Sequence, residues 1–209
     1  MPNVLLTFLL SLMLGGQPVF TAEPVPDTVY ARIVGHSLPH DATVSRDDLC
    51  YLRLSYIDFE GREREGEMIC NRAIADDLLY IFRRLHEARY PIASLRLIDD
   101  FDADDERSMR ANNTSCFCYR VVAGSKKLSR HALGMAVDLN PLQNPCVRRR
   151  ADGETTVQPS TATSYTDRKR SFKHKIDRHD LAYRLFTERG FKWGGAWRSV
   201  KDYQHFEKY

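Results

Sequence analysis

A histidine and an aspartate lie seven residues apart within residues 129–138, and a glycine lies between them. On one continuous helix the Cα atoms of His131 and Asp138 would be roughly 10 Å apart. On one straight strand their side chains would point to opposite faces. Zinc, however, needs its donor atoms within about 2.0–2.2 Å. If the two residues share a metal, the chain bends between them, and Gly134 is the residue whose backbone allows the bend. Without a metal, the same segment is a polar turn that leads into a buried strand.

Residues 135–140 follow the bend and have the alternating pattern of a strand. Successive side chains of a strand point to opposite faces, so alternate residues share a face. We therefore expect Val137 and Leu139 to face the core. The residues that we expect to face the site are Ala136, Asp138 and Asn140.

A second group of ligand-type residues lies in the segment Lys-Asp-Tyr-Gln-His-Phe, where Asp202 precedes His205 by three residues. Two histidines and one carboxylate would leave the fourth coordination position of a zinc ion open for water, as in catalytic zinc sites. Asp202 would then be available as the base for that water.

The two segments resemble the paired motifs of a known enzyme family. The sequence SRHALGMAVD resembles the SxHxxGxAxD signature of the zinc D-alanyl-D-alanine carboxypeptidases and L-alanyl-D-glutamate endopeptidases, and KDYQHFE resembles their second metal motif. The resemblance extends from about residue 49 to the C-terminus. Hedgehog signalling domains have this kind of zinc site on a similar fold, so the fold alone does not establish peptidase activity.

The resemblance implies a role for each residue of the two motifs and for one arginine. His131, Asp138 and His205 would hold one zinc ion, and Asp202 would act as the general base. Arg120 matches the family arginine that precedes the first zinc histidine, and it would stabilise the oxyanion. The alternative for Arg120 is a surface position or a structural salt bridge.

The resemblance also implies residues that bind the substrate. Asp105 and Ser108 match a family loop beside the site, and Ser129 would orient the first motif or contact the substrate. Trp193 and Trp197 are expected to form walls of the groove, with core packing as the alternative for both.

The expected fold class is α+β: a small antiparallel sheet with packed helices and a zinc site of the D-Ala-D-Ala carboxypeptidase and hedgehog type. A hairpin is predicted over residues 49–70, and short strands at residues 30–34 and 119–122. Residues 141–171 are expected to form a long loop beside the site. Asn71 and Asp177 are predicted to cap helices. The apolar stripe of the first of these helices contains Ile74, Leu78, Ile81 and Leu85.

Three segments are predicted: a signal peptide at residues 1–22, an extended lead-in at residues 23–48 and a zinc peptidase domain at residues 49–209. The apolar run of residues 4–14 is short for a membrane span and is typical of a secretory signal. An uncleaved N-terminal anchor is the alternative. We therefore expect an exported protein of the periplasm or the extracellular space, with no stable membrane insertion after the signal is removed.

Five cysteines in an exported chain indicate disulfides and one remaining thiol. Cys50 and Cys70 flank the predicted hairpin and are the expected pair. Cys146 has two alternative partners, Cys116 and Cys118, which are poor partners for each other at their short spacing.

The predicted function is zinc-dependent hydrolysis of peptide bonds in peptidoglycan stem peptides, by a protein that is monomeric. The formal net charge of +3 is too small to indicate nucleic-acid binding. Two alternatives remain at this point: a non-catalytic zinc-containing module that binds the cell wall, and a dipeptidase that acts on free D-Ala-D-Ala.

Overall fold

The computed structural model describes residues 17–122, 125–150 and 153–209. Residues 1–16, which make up most of the predicted leader, lie outside these ranges, so the signal peptide stays a prediction. Among the described residues, no helix is both long enough and apolar enough to cross a membrane.

The first sheet has three antiparallel strands in the order β1, β2, β3. These strands are β1 (Phe20–Pro24), β2 (Leu49–Ile57) and β3 (Glu63–Asn71). β2 and β3 pair along their whole length and confirm the predicted hairpin. β1 pairs with β2, so residues 20–22, the end of the predicted leader, are part of this sheet.

The turn of the hairpin is organised by Asp58, whose side chain is buried. Its carboxylate accepts hydrogen bonds from the backbone N–H groups of Glu60 and Arg62 and from the guanidinium groups of Arg62 and Arg64. Burial by itself would raise the pKa of Asp58, but these bonds outweigh it and lower the pKa to about 2. The ionised carboxylate therefore stabilises the turn.

A helix, α1 (Asp27–Ile33), lies where a short strand was predicted within the extended lead-in. That strand prediction is wrong: the backbone of these residues is helical, and Val29 and Ile33 lie one turn apart on the face that is buried. Both are buried, in a cluster that also contains Leu49. Asp27 in the first turn favours the helix through the helix dipole.

The longest helix, α2 (Ala75–Glu87), packs against the first sheet with the face that the apolar stripe predicted. The four residues of that stripe are at most 1% exposed: Ile74, Leu78, Ile81 and Leu85. The apolar core of the molecule is built around this helix.

Two predicted helix caps have different outcomes. Asn71 is a cap, but of the short 3-10 turn Arg72–Ile74 that precedes α2. The cap of the last helix, α4 (Leu181–Glu188), is Asp180, whose side chain accepts a hydrogen bond from the N–H of Ala182 at 2.8 Å. The prediction of Asp177 is wrong, because this aspartate caps the turn before the helix instead.

The second sheet contains the strands that carry the two motifs. Its strands, in spatial order, are β6 (Ala136–Asp138), β11 (His205–Glu207) and β9 (Lys192–Trp193). Both pairings are antiparallel. Phe206 of β11 stacks on Phe186 of α4 with ring centroids 4.3 Å apart, so β11 is anchored in the core.

The region predicted as a long loop, residues 141–171, contains two strands. They belong to a third antiparallel sheet, in the order β10 (Val200–Asp202), β7 (Cys146–Arg149), β8 (Thr155–Gln158). A 3-10 turn, Ser160–Tyr165, follows β8. The pairing of β10 with β7 attaches this region directly to the segment that carries Asp202.

The remaining elements are short. β4 (Ser94–Leu95) pairs in parallel with β5 (Asn113–Thr114), and α3 (Asp105–Arg110) lies between them in sequence. The strand predicted at residues 119–122 is reduced to one isolated bridge between Val121 and Leu128. Helices packed on small antiparallel sheets confirm the α+β class.

All five cysteines are free thiols, so the structure does not contain the predicted Cys50–Cys70 disulfide or a bond to Cys146. Cys50 does lie directly opposite Cys70 in the β2–β3 ladder. Burial raises the pKa of both thiols. Since the thiolate is the form that attacks to make a disulfide, burial in the core disfavours the bond.

We predict that Asp58→Asn lowers the urea midpoint of unfolding at pH 7. The pKa of Asp58 is lower in the folded protein than its usual value of about 3.9, so the stabilisation is present above that value and is lost as pH falls through about 2. The difference between wild type and variant should therefore shrink below pH 4. The exposed Asp41→Asn is the control, and a difference that stays constant with pH would contradict the prediction.

Candidate active site and metal centre

The bend between His131 and Asp138 has the form that the sequence predicted. A 3-10 turn, His131–Leu133, ends at Gly134, whose φ is +66°. A Cβ atom at Gly134 would lie 2.5 Å from the backbone nitrogen of Asn71. That nitrogen donates a hydrogen bond to the Gly134 carbonyl at 2.8 Å. The bend is therefore docked on the end of the first sheet, and both its dihedral angle and its close contact require glycine.

The pairing of β6 with β11 brings the two motifs together, because His205 lies directly opposite Asp138. Nδ1 of His205 is 3.0 Å from Oδ1 of Asp138 and 3.1 Å from Nε2 of His131. Nε2 of His131 is 3.2 Å from Oδ2 of Asp138. The structure thus brings together the three predicted metal ligands, and all three are buried.

The spacing of these donor atoms fits a metal ion. Ligands arranged tetrahedrally about zinc at about 2.0–2.1 Å are about 3.3 Å apart from one another. The separations of 3.0–3.2 Å are close to that value. Two imidazoles and a carboxylate are also the donor types that zinc accepts at catalytic sites.

The orientation of the His131 ring follows from its second nitrogen. Nδ1 is 2.6 Å from the carbonyl oxygen of Cys116. A carbonyl can only accept, so Nδ1 carries the hydrogen, and the Nε2 lone pair points toward the other two ligands. The sequence did not indicate this contact, because the partner is a backbone atom of a distant segment.

Asp138 and His205 stabilise each other's charged form. Burial would raise the pKa of Asp138, but the two histidines outweigh it and hold the pKa well below its usual range. Burial would lower the pKa of His205, but hydrogen bonds to Asp138 and Glu207 outweigh it and raise the pKa to about 10. Without a metal, His205 is therefore a cation beside the Asp138 anion.

Asp202 lies at the end of β10, beside the metal ligands. Burial, and after it the negative charge of Asp138, raises the pKa of Asp202 to about 6. Its Oδ1 atom is buried and has no hydrogen-bond partner among the described residues. The position and the raised pKa are those of a group that can exchange a proton near neutral pH.

Arg120 and Asp105 form an ion pair of 2.8 Å on the wall of the same groove. Burial raises the pKa of Asp105 even though Arg120 opposes that change. Nε of Arg120 is buried without a hydrogen-bond partner in the described part of the chain. The guanidinium group is held in place by Asp105 and still has donor capacity.

The other expected substrate-binding residues are placed differently from one another. Ser129 lines the groove, and its Oγ accepts the N–H of His131 at 3.2 Å, which fits the orienting role. Ser108 is 1% exposed, and its Oγ accepts a hydrogen bond from Asn113 at 3.1 Å. A hydroxyl that is used inside the protein in this way is not available to a substrate.

Of the two tryptophans and Asn140, only Trp197 lies at the groove. Trp197 lines the groove, and its ring centroid is 5.2 Å from that of His205. Trp193 is buried and donates from Nε1 to the carbonyl of Tyr203, so its expected position on the groove wall is wrong and core packing is right. Asn140 is also buried away from the site, and its side chain accepts from the N–H of Ala93.

The ligand group lies in a groove of about 640 Å³. Two exposed apolar side chains mark its rim, Val121 at 50% and Tyr209 at 67% exposure. A site of this size takes a ligand of several residues or a drug-sized molecule rather than only a small ion.

The comparisons with known proteins agree with the geometry. A family model described as D-alanyl-D-alanine carboxypeptidase matches residues 123–208, which is less than half of the chain. The match contains both motifs and confirms the resemblance that they indicated. Arg120 and Asp105 lie outside the matched range. Neither the curated proteins nor the solved structures give a significant match.

We predict that Gly134→Ala weakens zinc binding and lowers the melting temperature. Alanine would be strained at φ +66° and would collide with Asn71. Gly153→Ala is the matched control, because Gly153 also has a positive φ but has open space around it. Equal losses of stability in the two variants, with zinc affinity unchanged in both, would show that the contact with Asn71 is unimportant.

We also predict that zinc binding releases about one proton at pH 7. The metal needs the Nδ1 lone pair of His205, and below about pH 10 the ring is an imidazolium whose second proton occupies that nitrogen. Raising the pH removes the competitor, so the apparent Kd should tighten about tenfold per pH unit between pH 7 and 9. Chelator competition at several pH values measures the apparent Kd for zinc. His36→Ala should keep the slope, and a Kd independent of pH would contradict the prediction.

Proposed function

We propose that this protein is a zinc-dependent peptidase that hydrolyses peptide bonds in peptidoglycan stem peptides. It would act as a D-Ala-D-Ala carboxypeptidase or as an L-Ala-D-Glu endopeptidase. The observation that carries the proposal is the buried group His131, Asp138 and His205 with a further carboxylate, Asp202, beside it in a groove. The match to a peptidase family over the same residues supports it.

The chemistry follows from the placement of the side chains. Bound zinc supplies a Lewis acid that polarises a carbonyl group and lowers the pKa of bound water toward about 7. Asp202 takes a proton from the attacking water and returns it to the leaving amine, a role that its raised pKa favours. Arg120, held by Asp105, donates hydrogen bonds to the oxygen on which negative charge develops.

The shape of the groove supports a substrate longer than a free dipeptide. The groove is open at a rim that includes Val121 and Tyr209, whereas a dipeptidase needs a closed pocket around its small substrate. Its lining contains both acidic and basic side chains, and stem peptides carry both carboxylates and amines. The residues of these types are Asp104, Glu106, Lys127, Arg130 and Arg148.

A non-catalytic cell-wall module with the same metal site is the second candidate. Binding alone requires neither a carboxylate with a raised pKa beside the ligands nor an arginine held at the groove, so Asp202 and Arg120 favour the peptidase. We further propose that the protein is a monomer and that it acts outside the cytoplasm. The apolar run of residues 4–14 supports this location.

We predict that Asp202→Asn retains zinc but loses activity by about 10²–10⁴. Asparagine keeps the size of the side chain but cannot accept the proton of the water. His205→Ala should lose both zinc and activity, whereas Asp41→Asn should lose neither. Release of muropeptide fragments is measured by mass spectrometry, with and without a chelator, and it also identifies the bond that is cut.

The outcomes separate the candidate roles of Asp202. Activity near wild type in a folded, zinc-loaded Asp202→Asn protein would refute the mechanism. Loss of zinc in this variant would make Asp202 a ligand instead of the base. No muropeptide product from the zinc-loaded wild type would favour the binding module.

A further inference from the structure

Strand β11 carries a second acidic side chain on the face that carries His205. Side chains two residues apart share one face of a strand, so Glu207 lies on the same face as His205, while Phe206 points into the core. Glu207 lies opposite Ala136 of β6, whose small side chain leaves room beside it. The glutamate is 7% exposed.

Both carboxylate oxygens of Glu207 have partners. Oε2 is 3.4 Å from Nε2 of His205, the ring nitrogen that points away from the metal ligands. Oε1 accepts a hydrogen bond from the Tyr209 hydroxyl at 2.7 Å. The guanidinium group of Arg130 lies 3.9 Å from the centre of the Tyr209 ring. The carboxylate is therefore held from the side opposite to His205.

We propose that Glu207 is a positioning residue of the metal centre, which accepts the Nε2–H of His205 and so directs the Nδ1 lone pair at the metal. The inference rests on the proposed zinc site. With this assignment, each histidine of the site has a hydrogen-bond acceptor for the ring nitrogen that faces away from the metal. The acceptor for His131 is the carbonyl of Cys116, and the acceptor for His205 is the carboxylate of Glu207. Glu207 itself is not one of the three side chains whose ligand atoms lie together at the site.

A purely structural role explains these contacts less well. Burying a carboxylate is costly unless strong hydrogen bonds offset the cost. The buried, apolar Ala136 opposite it shows that apolar side chains fit this face of β11 and β6. A carboxylate that contacts the far nitrogen of a metal-binding histidine is a recurring arrangement in zinc sites, where its loss typically weakens metal affinity by about 10–100-fold.

The test is zinc affinity, measured by chelator competition at one fixed pH. We expect Glu207→Ala to weaken the Kd by about 10–100-fold. Glu207→Gln should weaken the Kd less than Glu207→Ala does, because its amide oxygen still accepts the hydrogen bond but carries no charge. The matched control is Glu65→Gln, since Glu65 is on β3 and pairs with Arg53 far from the site. We therefore expect zinc affinity to be lowest in Glu207→Ala, intermediate in Glu207→Gln and unchanged in Glu65→Gln.

Two further measurements separate positioning from general stability. The melting temperature of each metal-free variant shows whether the fold is intact. In the zinc-loaded wild type, the Nε2–H of His205 should give a downfield proton NMR signal that is absent in Glu207→Ala. If Glu207→Ala does not fold, the zinc Kd of Glu207→Gln, which keeps the volume of the side chain, tests the proposal.

A zinc Kd within twofold of wild type in a folded Glu207→Ala protein would overturn the proposal, and so would an unchanged Nε2–H signal. A Kd of Glu207→Gln equal to that of Glu65→Gln would also overturn the proposal. These readouts do not depend on hydrolysis. A protein that binds zinc through this arrangement but releases no muropeptides would refute the proposed peptidase function and leave the role of Glu207 supported.

Discussion

The antiparallel pairing of β6 with β11 is the interaction on which the site depends. It places Asp138 directly opposite His205, although the two residues are 67 positions apart in the chain. Opposed residues of such a ladder have Cβ atoms about 4.5–5.5 Å apart, which is close enough for two side chains to share a metal. The stack of Phe206 on Phe186 anchors β11 in the core, so the strand, and not a loop, sets the distance between the ligands.

The third ligand depends on a different part of the molecule. His131 reaches the other two because the chain turns back at Gly134, and this turn is docked by a backbone hydrogen bond on Asn71 at the end of the first sheet. The first sheet, on which α2 packs, therefore supports the candidate metal centre. Rigid elements that hold ligands in this way keep the donor geometry in place before the metal binds.

The acidic side chains of the site differ in whether a cationic group is paired with them. The carboxylate of Asp138 pairs with His205 and that of Asp105 with Arg120, and pairing of this kind offsets part of the cost of burial, although burial still raises the pKa of Asp105. Asp202 has no comparable partner on its Oδ1 atom, and burial raises its pKa to about 6. The carboxylate that is least compensated is thus the one suited to accept and return a proton.

The sequence by itself determined the local features: the hairpin, the apolar stripe of α2 and the bend at Gly134. These follow from residue type and short spacing. The three candidate metal ligands came instead from the resemblance of two distant motifs to a known enzyme family. The sequence did not determine the helix α1, the free thiols or the separation of Trp193 from Trp197, because burial against distant segments decides them. Only the tertiary structure showed the outer contacts of the histidines. One partner is a backbone carbonyl, and the other, Glu207, acquires its role only when β11 is packed and its alternate side chains face the site.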